Sequence, residues 1–180
     1  MQQQRQFGKN GPKVGAIGFG AMSFGGFYGP TTEAESHAAL DACLDTGTTH
    51  WDTADNYGPD ISERVLGSYF KVNPGARKRI HLATKGGIRR NLETGTRTFD
   101  NSPDYLRKAL EASLQRLGVD HVDLYYIHRR EQARPIEDVM QTLLTFKQEG
   151  KIGGIGFSEV SPASIRSEER RVGKECRSRW

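Results

Sequence analysis

Three features of the 180-residue sequence predict an α/β protein built from successive strand–helix units. Short apolar runs recur along the chain, amphipathic helical patterns lie between them, and proline and glycine mark the joints. Five such units fit before residue 165. A chain of this length suffices for one globular domain, which buries about 70% of its unfolded surface on folding.

The first unit is preceded by Arg5-Gln-Phe-Gly-Lys-Asn-Gly-Pro-Lys-Val14, where Asn10-Gly11 between two extended runs predicts a β-hairpin acting as an N-terminal plug. Residues 16–22 predict the first strand. A helix over 32–46 sets Leu40, Cys43 and Leu44 on one face. The second strand spans 48–53, and its helix opens at Asp60, whose spacing to Glu63 is that of a capping box. Ile61, Val65, Leu66 and Tyr69 form that helix's expected buried stripe. The third strand spans 80–85 and is followed by a long polar loop. Ser102-Pro103 then supplies an N-cap with proline at the first helical position, and Leu106, Leu110, Leu114 and Leu117 continue the helix to Gly118. The fourth strand is 122–127. Its helix opens at Pro135 and carries Ile136, Val139, Met140, Leu143 and Leu144, the clearest 3.6-residue period in the chain. The fifth strand, 152–157, ends at Ser158, and Ser161-Pro162 starts a fifth helix.

Two architectures accommodate this alternation, a doubly wound open sheet and a (βα)8 barrel. The open nucleotide-binding sheet calls for G-x-G-x-x-G after the first strand. Here the turn reads Gly18-Phe-Gly20-Ala-Met-Ser23, without the third glycine, and helix onset is delayed to about residue 32. The position of the polar residues then becomes the guide.

Composition narrows the function classes. No run of about 18 apolar residues exists to span a bilayer, and Met1-Gln-Gln-Gln-Arg5 lacks the apolar stretch of a signal peptide, so a cytoplasmic protein with no membrane partner is expected. Cys43 and Cys176 make neither a disulfide framework nor a metal-ligand spacing. The formal charge is +4, but residues 166–180 hold six Lys/Arg and three Asp/Glu, leaving +1 on residues 1–165. That basic tail has only Val172 and Trp180 as large apolar residues. It reads as a non-native appendage to a domain spanning 1–165, and nucleic acid is not an expected partner.

Asp52 ends the second strand, Tyr57 lies in the loop beyond it, Lys85 ends the third strand and His128 ends the fourth. The intervals of 33 residues from Asp52 to Lys85, 43 on to His128 and 30 on to Ser158 each fit one βα unit. In a barrel these positions ring one mouth, where the active sites of that fold lie. Singly, an Asp and a Lys on adjacent strands form an ordinary ion pair, and a lone His is structural. Their convergence on one rim is what singles them out. His37, His50, His81 and His121 have no comparable constellation, and Arg89, Arg90 and Arg97 read as a solvated loop.

A phenol ordinarily titrates near pH 10, so as a proton donor to an alkoxide it needs a neighbouring cation to stabilise the phenolate left behind. Lys85 can supply that cation and Asp52 can orient it. His128 can hydrogen-bond a substrate oxygen and help to form an oxyanion pocket. Such a site handles a carbonyl oxygen that becomes a hydroxyl. With no metal ligands at proper spacing and no nucleophile elbow, the electrons come from outside, most simply as hydride from a nicotinamide.

Trp51-Asp52-Thr53-Ala54-Asp55-Asn56-Tyr57-Gly58, Ala83-Thr84-Lys85, Asp123-Leu124-Tyr125-Tyr126-Ile127-His128-Arg129 and Gly150-Lys151-Ile152-Gly153-Gly154-Ile155-Gly156-Phe157-Ser158 together resemble the aldo-keto reductase superfamily, in order across about residues 5 to 165. The resemblance implies a (βα)8 TIM barrel, truncated here to about its first five units. It also implies NAD(P)H-dependent reduction of small aldehydes or ketones, with NADPH the usual cofactor and NADH an alternative. Tyr57 becomes the proton donor, Lys85 and Asp52 its tuners and His128 the substrate-orienting group. Met22, Ser23, Asp52, Ser158 and Glu159 match the family's cofactor contacts. Glu159 departs from the pattern, since many members carry Asn there to hold the nicotinamide amide. The last three units, the platform under the nicotinamide ring and the segment gripping the adenosine phosphate are missing, so weak or no turnover is expected of this chain alone. A nicotinamide-binding regulatory or channel-associated subunit of the same fold is the alternative reading.

Overall fold

A computed structural model describes residues 2–91 and 93–161. The helix expected from Ser161-Pro162, Cys176 and the basic segment 166–180 fall wholly or largely outside the described residues. At the N-terminus, β1 (Gln4–Gln6) and β2 (Lys13–Gly15) pair antiparallel as the expected hairpin. Its left-handed residue is Gly8 (φ +74°) and not the Asn10-Gly11 pair.

The main sheet has five parallel strands in the order β3 (Phe19–Gly20), β4 (His50–Asp52), β5 (His81–Gly86), β8 (Val122–Ile127) and β9 (Ile152–Phe157). This order follows the sequence without reversal, as in an unrolled barrel, whereas a doubly wound sheet changes direction at a switch point. Between the strands lie α1 (Glu33–Thr46), α2 (Ile61–Val72), α3 (Pro103–Leu117) and α4 (Ile136–Gln148), each touching the next. The core lies between helices and sheet, with Trp51, Leu66, Tyr69, Leu82, Leu110, Tyr125, Ile127, Leu143 and Phe146 almost fully buried. Five of the six β5 residues are buried, as in a parallel strand covered on both faces, while β9, paired with β8 alone, is mostly half-buried.

The predicted boundaries of β8 and β9 coincide with the observed ones, α3 begins and ends at the predicted signals, and α4 begins directly after Pro135 as expected. Ser102 accepts a hydrogen bond from the Tyr105 amide ahead of Pro103, and Gly118 closes α3 in the left-handed conformation. Four features differ. The first strand is only Phe19–Gly20, because residues 21–25 coil into a 3₁₀ turn. The polar loop after β5 contains a second hairpin, β6 (Ile88–Arg90) with β7 (Arg97–Phe99). Asp60 precedes α2 with φ +68° and forms no cap hydrogen bond, and its expected partner Glu63 is buried in other contacts. Ile61 lies outside the buried stripe, and Phe70 completes it instead.

Candidate active site

The C-terminal ends of the parallel strands bring the candidate residues together. Asp52 is the last residue of β4, Lys85 the penultimate residue of β5, and His128 and Ser158 directly follow β8 and β9. Tyr57 enters from the turn between β4 and α2. That turn packs so tightly that a Cβ on Gly58 (φ +64°) would lie 2.4 Å from the Gly25 Cα, which explains glycine after the tyrosine.

Lys85 is buried, at 6% exposure. Its ammonium donates to the Asp52 carboxylate, to the Thr53 carbonyl at 2.9 Å and to the Tyr57 hydroxyl at 3.1 Å, so all three of its protons are placed. The Nζ also lies 4.8 Å from the centre of the Tyr57 ring. On one side of Tyr57 the His128 ring stands edge-on, with centroids 5.7 Å apart at 87°. On another the half-exposed Phe27 ring stands 6.2 Å away at 71°.

Burial pushes the His128 imidazole down to about 4, and the positive charges of Lys85, Arg129 and Arg97 push it the same way. It is therefore neutral at pH 7. Its backbone amide donates to the Gly86 carbonyl at 2.8 Å, and its buried Nδ1 has no partner among the described residues. An imidazole in this state can accept or donate one hydrogen bond but holds no surplus proton. The Tyr57 hydroxyl, by contrast, accepts from the Lys85 ammonium and keeps its own proton free to donate.

Met22 and Ser23 sit in the 3₁₀ turn Ala21–Gly25 at the same rim. Across the mouth, Glu159 adopts a left-handed backbone (φ +53°) and its carboxylate pairs with Arg129 at 2.6 Å. The Arg129 guanidinium also donates to the His128 carbonyl at 2.8 Å and to the Ser158 hydroxyl at 3.4 Å. This arginine links two predicted sets of residues that the sequence left separate. Asn101 and Glu131 form another unpredicted brace, exchanging backbone-to-side-chain hydrogen bonds of 2.8 Å in both directions. The Asn101 amide also donates to the Arg129 carbonyl at 3.2 Å, fixing the loop beyond His128. Neither interaction has a local sequence signal, because each joins loops of different βα units. Among the described residues no group of three or more His, Cys, Asp or Glu is placed to hold a metal.

The donor set suits a nicotinamide only in part. The Ser158 hydroxyl can donate to a carboxamide oxygen and a Glu159 carboxylate can accept from its NH2, but Glu159 cannot donate, as an amide side chain can.

Sequential parallel strands with a Tyr–Lys–Asp–His group gathered on their C-terminal rim place the chain among βα-barrel proteins. The chain belongs to the aldo/keto reductase family, whose model matches residues 16–174. It is 47% identical over 153 residues to aldo-keto reductase yakc (NADP(+)) of Schizosaccharomyces pombe, covering 85% of this chain and 45% of that protein. It is 37% identical over 170 residues to probable aldo-keto reductase 1 of Glycine max, covering 91% and 47%. The solved holo structure of aldo-keto reductase AKR11C1 from Bacillus halodurans superposes with a TM-score of 0.84 at 33% identity, covering 95% of this chain and 55% of that one. The chain thus spans about half the length of these relatives, and its fold is that of the corresponding part of an α/β barrel. No helix among the described residues is long and apolar enough to cross a membrane.

Proposed function

We propose that this chain carries the acid–base site of an NADPH-dependent reductase that converts small aldehydes or ketones to alcohols. The observation that carries the reading is the buried Lys85 ammonium, held by Asp52 and Thr53 and donating to the Tyr57 hydroxyl beside a neutral His128. The substrate oxygen fits between the Tyr57 hydroxyl and the His128 ring. His128 orients that oxygen by a single hydrogen bond. NADPH, when bound, supplies a hydride to the carbonyl carbon. Tyr57 gives its hydroxyl proton to the oxygen as negative charge builds there, and the Lys85 ammonium stabilises the phenolate that remains. Asp52 keeps Lys85 charged and aimed. Hydride plus proton completes the alcohol, and Tyr57 regains its proton from solvent. Met22, Ser23, Asp52, Ser158 and Glu159 are the proposed cofactor contacts. The S. pombe relative's name, with its NADP(+), supports the choice of cofactor.

Because the chain spans about half the length of its relatives, the decisive assay uses a chimera in which residues 1–161 are joined to the remaining portion of the S. pombe relative. We expect NADPH oxidation with a panel of aldehydes, and a loss of about a thousandfold in kcat for Tyr57→Phe. Undiminished turnover in that variant would overturn the assignment. The unjoined chain is expected to turn over weakly.

A further inference from the structure

Behind the rim, at the start of α2, lies a set of buried polar side chains to which the proposed chemistry gives no role. Ser62, Glu63, Thr53 and Thr84 are all fully buried. The Ser62 hydroxyl donates to the Ala21 carbonyl at 2.8 Å and shares a 2.8 Å hydrogen bond with the Thr53 hydroxyl. The Ser62 amide donates to the Tyr57 carbonyl at 3.2 Å. The next residue, Glu63, accepts from the Thr84 hydroxyl at 2.5 Å and from Arg116 Nε at 2.7 Å. Arg116, on α3, also reaches Ser113 at 3.2 Å and Asp60 at 3.4 Å.

Each strand-end group held by this pair is a sequence neighbour of a rim residue. Ala21 precedes Met22, Thr53 follows Asp52, and Thr84 precedes Lys85. Thr53 is gripped twice, since its carbonyl accepts from Lys85 while its hydroxyl meets Ser62. Apolar contacts would bury the same area without fixing direction. Hydrogen bonds do fix it, and a fully buried carboxylate persists only where it is paired, as Glu63 is with Arg116.

We propose that Ser62 and Glu63 are positioning residues for the reductase site: from one turn of α2 they set the ends of β3, β4 and β5 so that Lys85 meets Asp52, the Thr53 carbonyl and Tyr57 at once. The inference rests on the functional reading above, but its primary readout does not require turnover. An ammonium with all three protons bonded and shielded exchanges them slowly with water, so the Lys85 Nζ resonance of 15N-lysine-labelled chain reports the geometry directly. Lys85→Arg assigns the resonance.

Ser62→Ala and Thr84→Val each delete one hydroxyl and leave the Glu63–Arg116 pair in place. Exchange at Lys85 should quicken by about tenfold in either, and by more in the double variant. Thr84→Ser, which keeps the hydroxyl, should restore slow exchange. Leu143→Val on α4, which trims a core side chain away from this network, should leave it unchanged. Unaltered Lys85 exchange in the two folded single variants, or equal quickening in Leu143→Val, would overturn the proposal. In the chimera, the same two variants should lower kcat by about tenfold with KM for the aldehyde little changed. If Lys85 exchange responds as expected while Tyr57→Phe keeps full turnover, the positioning holds and the reductase assignment falls.

Discussion

At the N-terminal end of the sheet Asp123 lies 2.9 Å from Arg77 and accepts from the Leu82 amide at 2.8 Å, while the ring nitrogens of His50 and His81 meet at 3.0 Å. His121 reaches the Gly150 carbonyl at 2.7 Å, and the Phe7 ring of the N-terminal hairpin covers both other histidines at 5.3 and 5.5 Å. At the opposite end Asp52 lies beside Lys85, with Tyr57 and His128 around them. Acid, cation and imidazole occur at both ends, so residue type does not separate them. Saturation does. No buried side-chain polar atom of the N-terminal cluster lacks a protein partner among the described residues, whereas at the C-terminal end the His128 Nδ1 is buried and unanswered. A cluster whose bonds are complete holds strands together, and a buried ring nitrogen left without a partner belongs to a cluster whose bonding is not all spent on structure.

The sharpest way to break this contrast is to remove one charge from each end of the chimera. Lys85→Met should lower kcat by about 10²–10⁴-fold, because the phenolate left by Tyr57 loses its neighbouring cation. Asp123→Asn should leave kcat within a factor of about two and instead cost about 1–3 kcal/mol of stability, measured by urea unfolding, since the Leu82 amide and Arg77 lose a charged acceptor. Equal losses of turnover in both variants would show that the two ends are not functionally distinct.

A smaller effect follows from His128. Its folded-state value of about 4 lies below the ordinary 6.5, so the folded protein favours the neutral ring. The stability this contributes is complete above pH 6.5 and is lost as the pH falls towards 4, where both folded and unfolded states bind the proton. Between pH 7 and pH 5 the protein should therefore lose about 2 kcal/mol that a His128→Gln variant keeps. Burial lowers His50 and His81 in the same direction, so the difference between protein and variant, not the raw acid sensitivity, isolates the rim. Parallel pH profiles would remove the case for a neutral His128.

Much of this was legible before the structure. Each of Asp52, Lys85 and His128 ends an apolar run flanked by clear helix signals, and the parallel topology then forces them onto one rim. The four leucines of α3 and Ile136, Val139, Met140 and Leu143 of α4 read correctly because packing against a sheet imposes a single periodicity, whereas Leu144 is only half-buried and Phe146 enters the core beyond it. Legibility failed where partners come from distant units. Glu63 matches a capping box by spacing, yet Arg116 and Thr84 claim its carboxylate and Asp60 turns left-handed instead. His50 and His81 looked isolated in sequence and become neighbours only through the β4–β5 register, which pairs them directly. The β6–β7 hairpin was hidden because Arg89, Arg90 and Arg97 give no apolar alternation. Its turn is held instead by Asn91, whose side chain accepts from the Glu93 and Thr94 amides.

The smallest predicted effect tests an exposed edge of the rim, where Glu159 stands in a left-handed conformation that glutamate disfavours and asparagine tolerates. Its ion pair with Arg129 is short, but the Glu159 side chain is 68% exposed, so water screens much of the attraction. Relief of backbone strain should then slightly outweigh the lost pair, and Glu159→Asn should raise stability by up to about 1 kcal/mol. The substitution also exchanges a group that only accepts for one that can donate and accept, matching both halves of a carboxamide. NADPH affinity of the chimera, measured by fluorescence titration, should tighten by about threefold, roughly the net worth of one added neutral hydrogen bond at the low end of its range. If affinity weakens instead, Arg129 and Glu159 act together in holding the cofactor, and the saturated pair belongs to the site rather than to its edge.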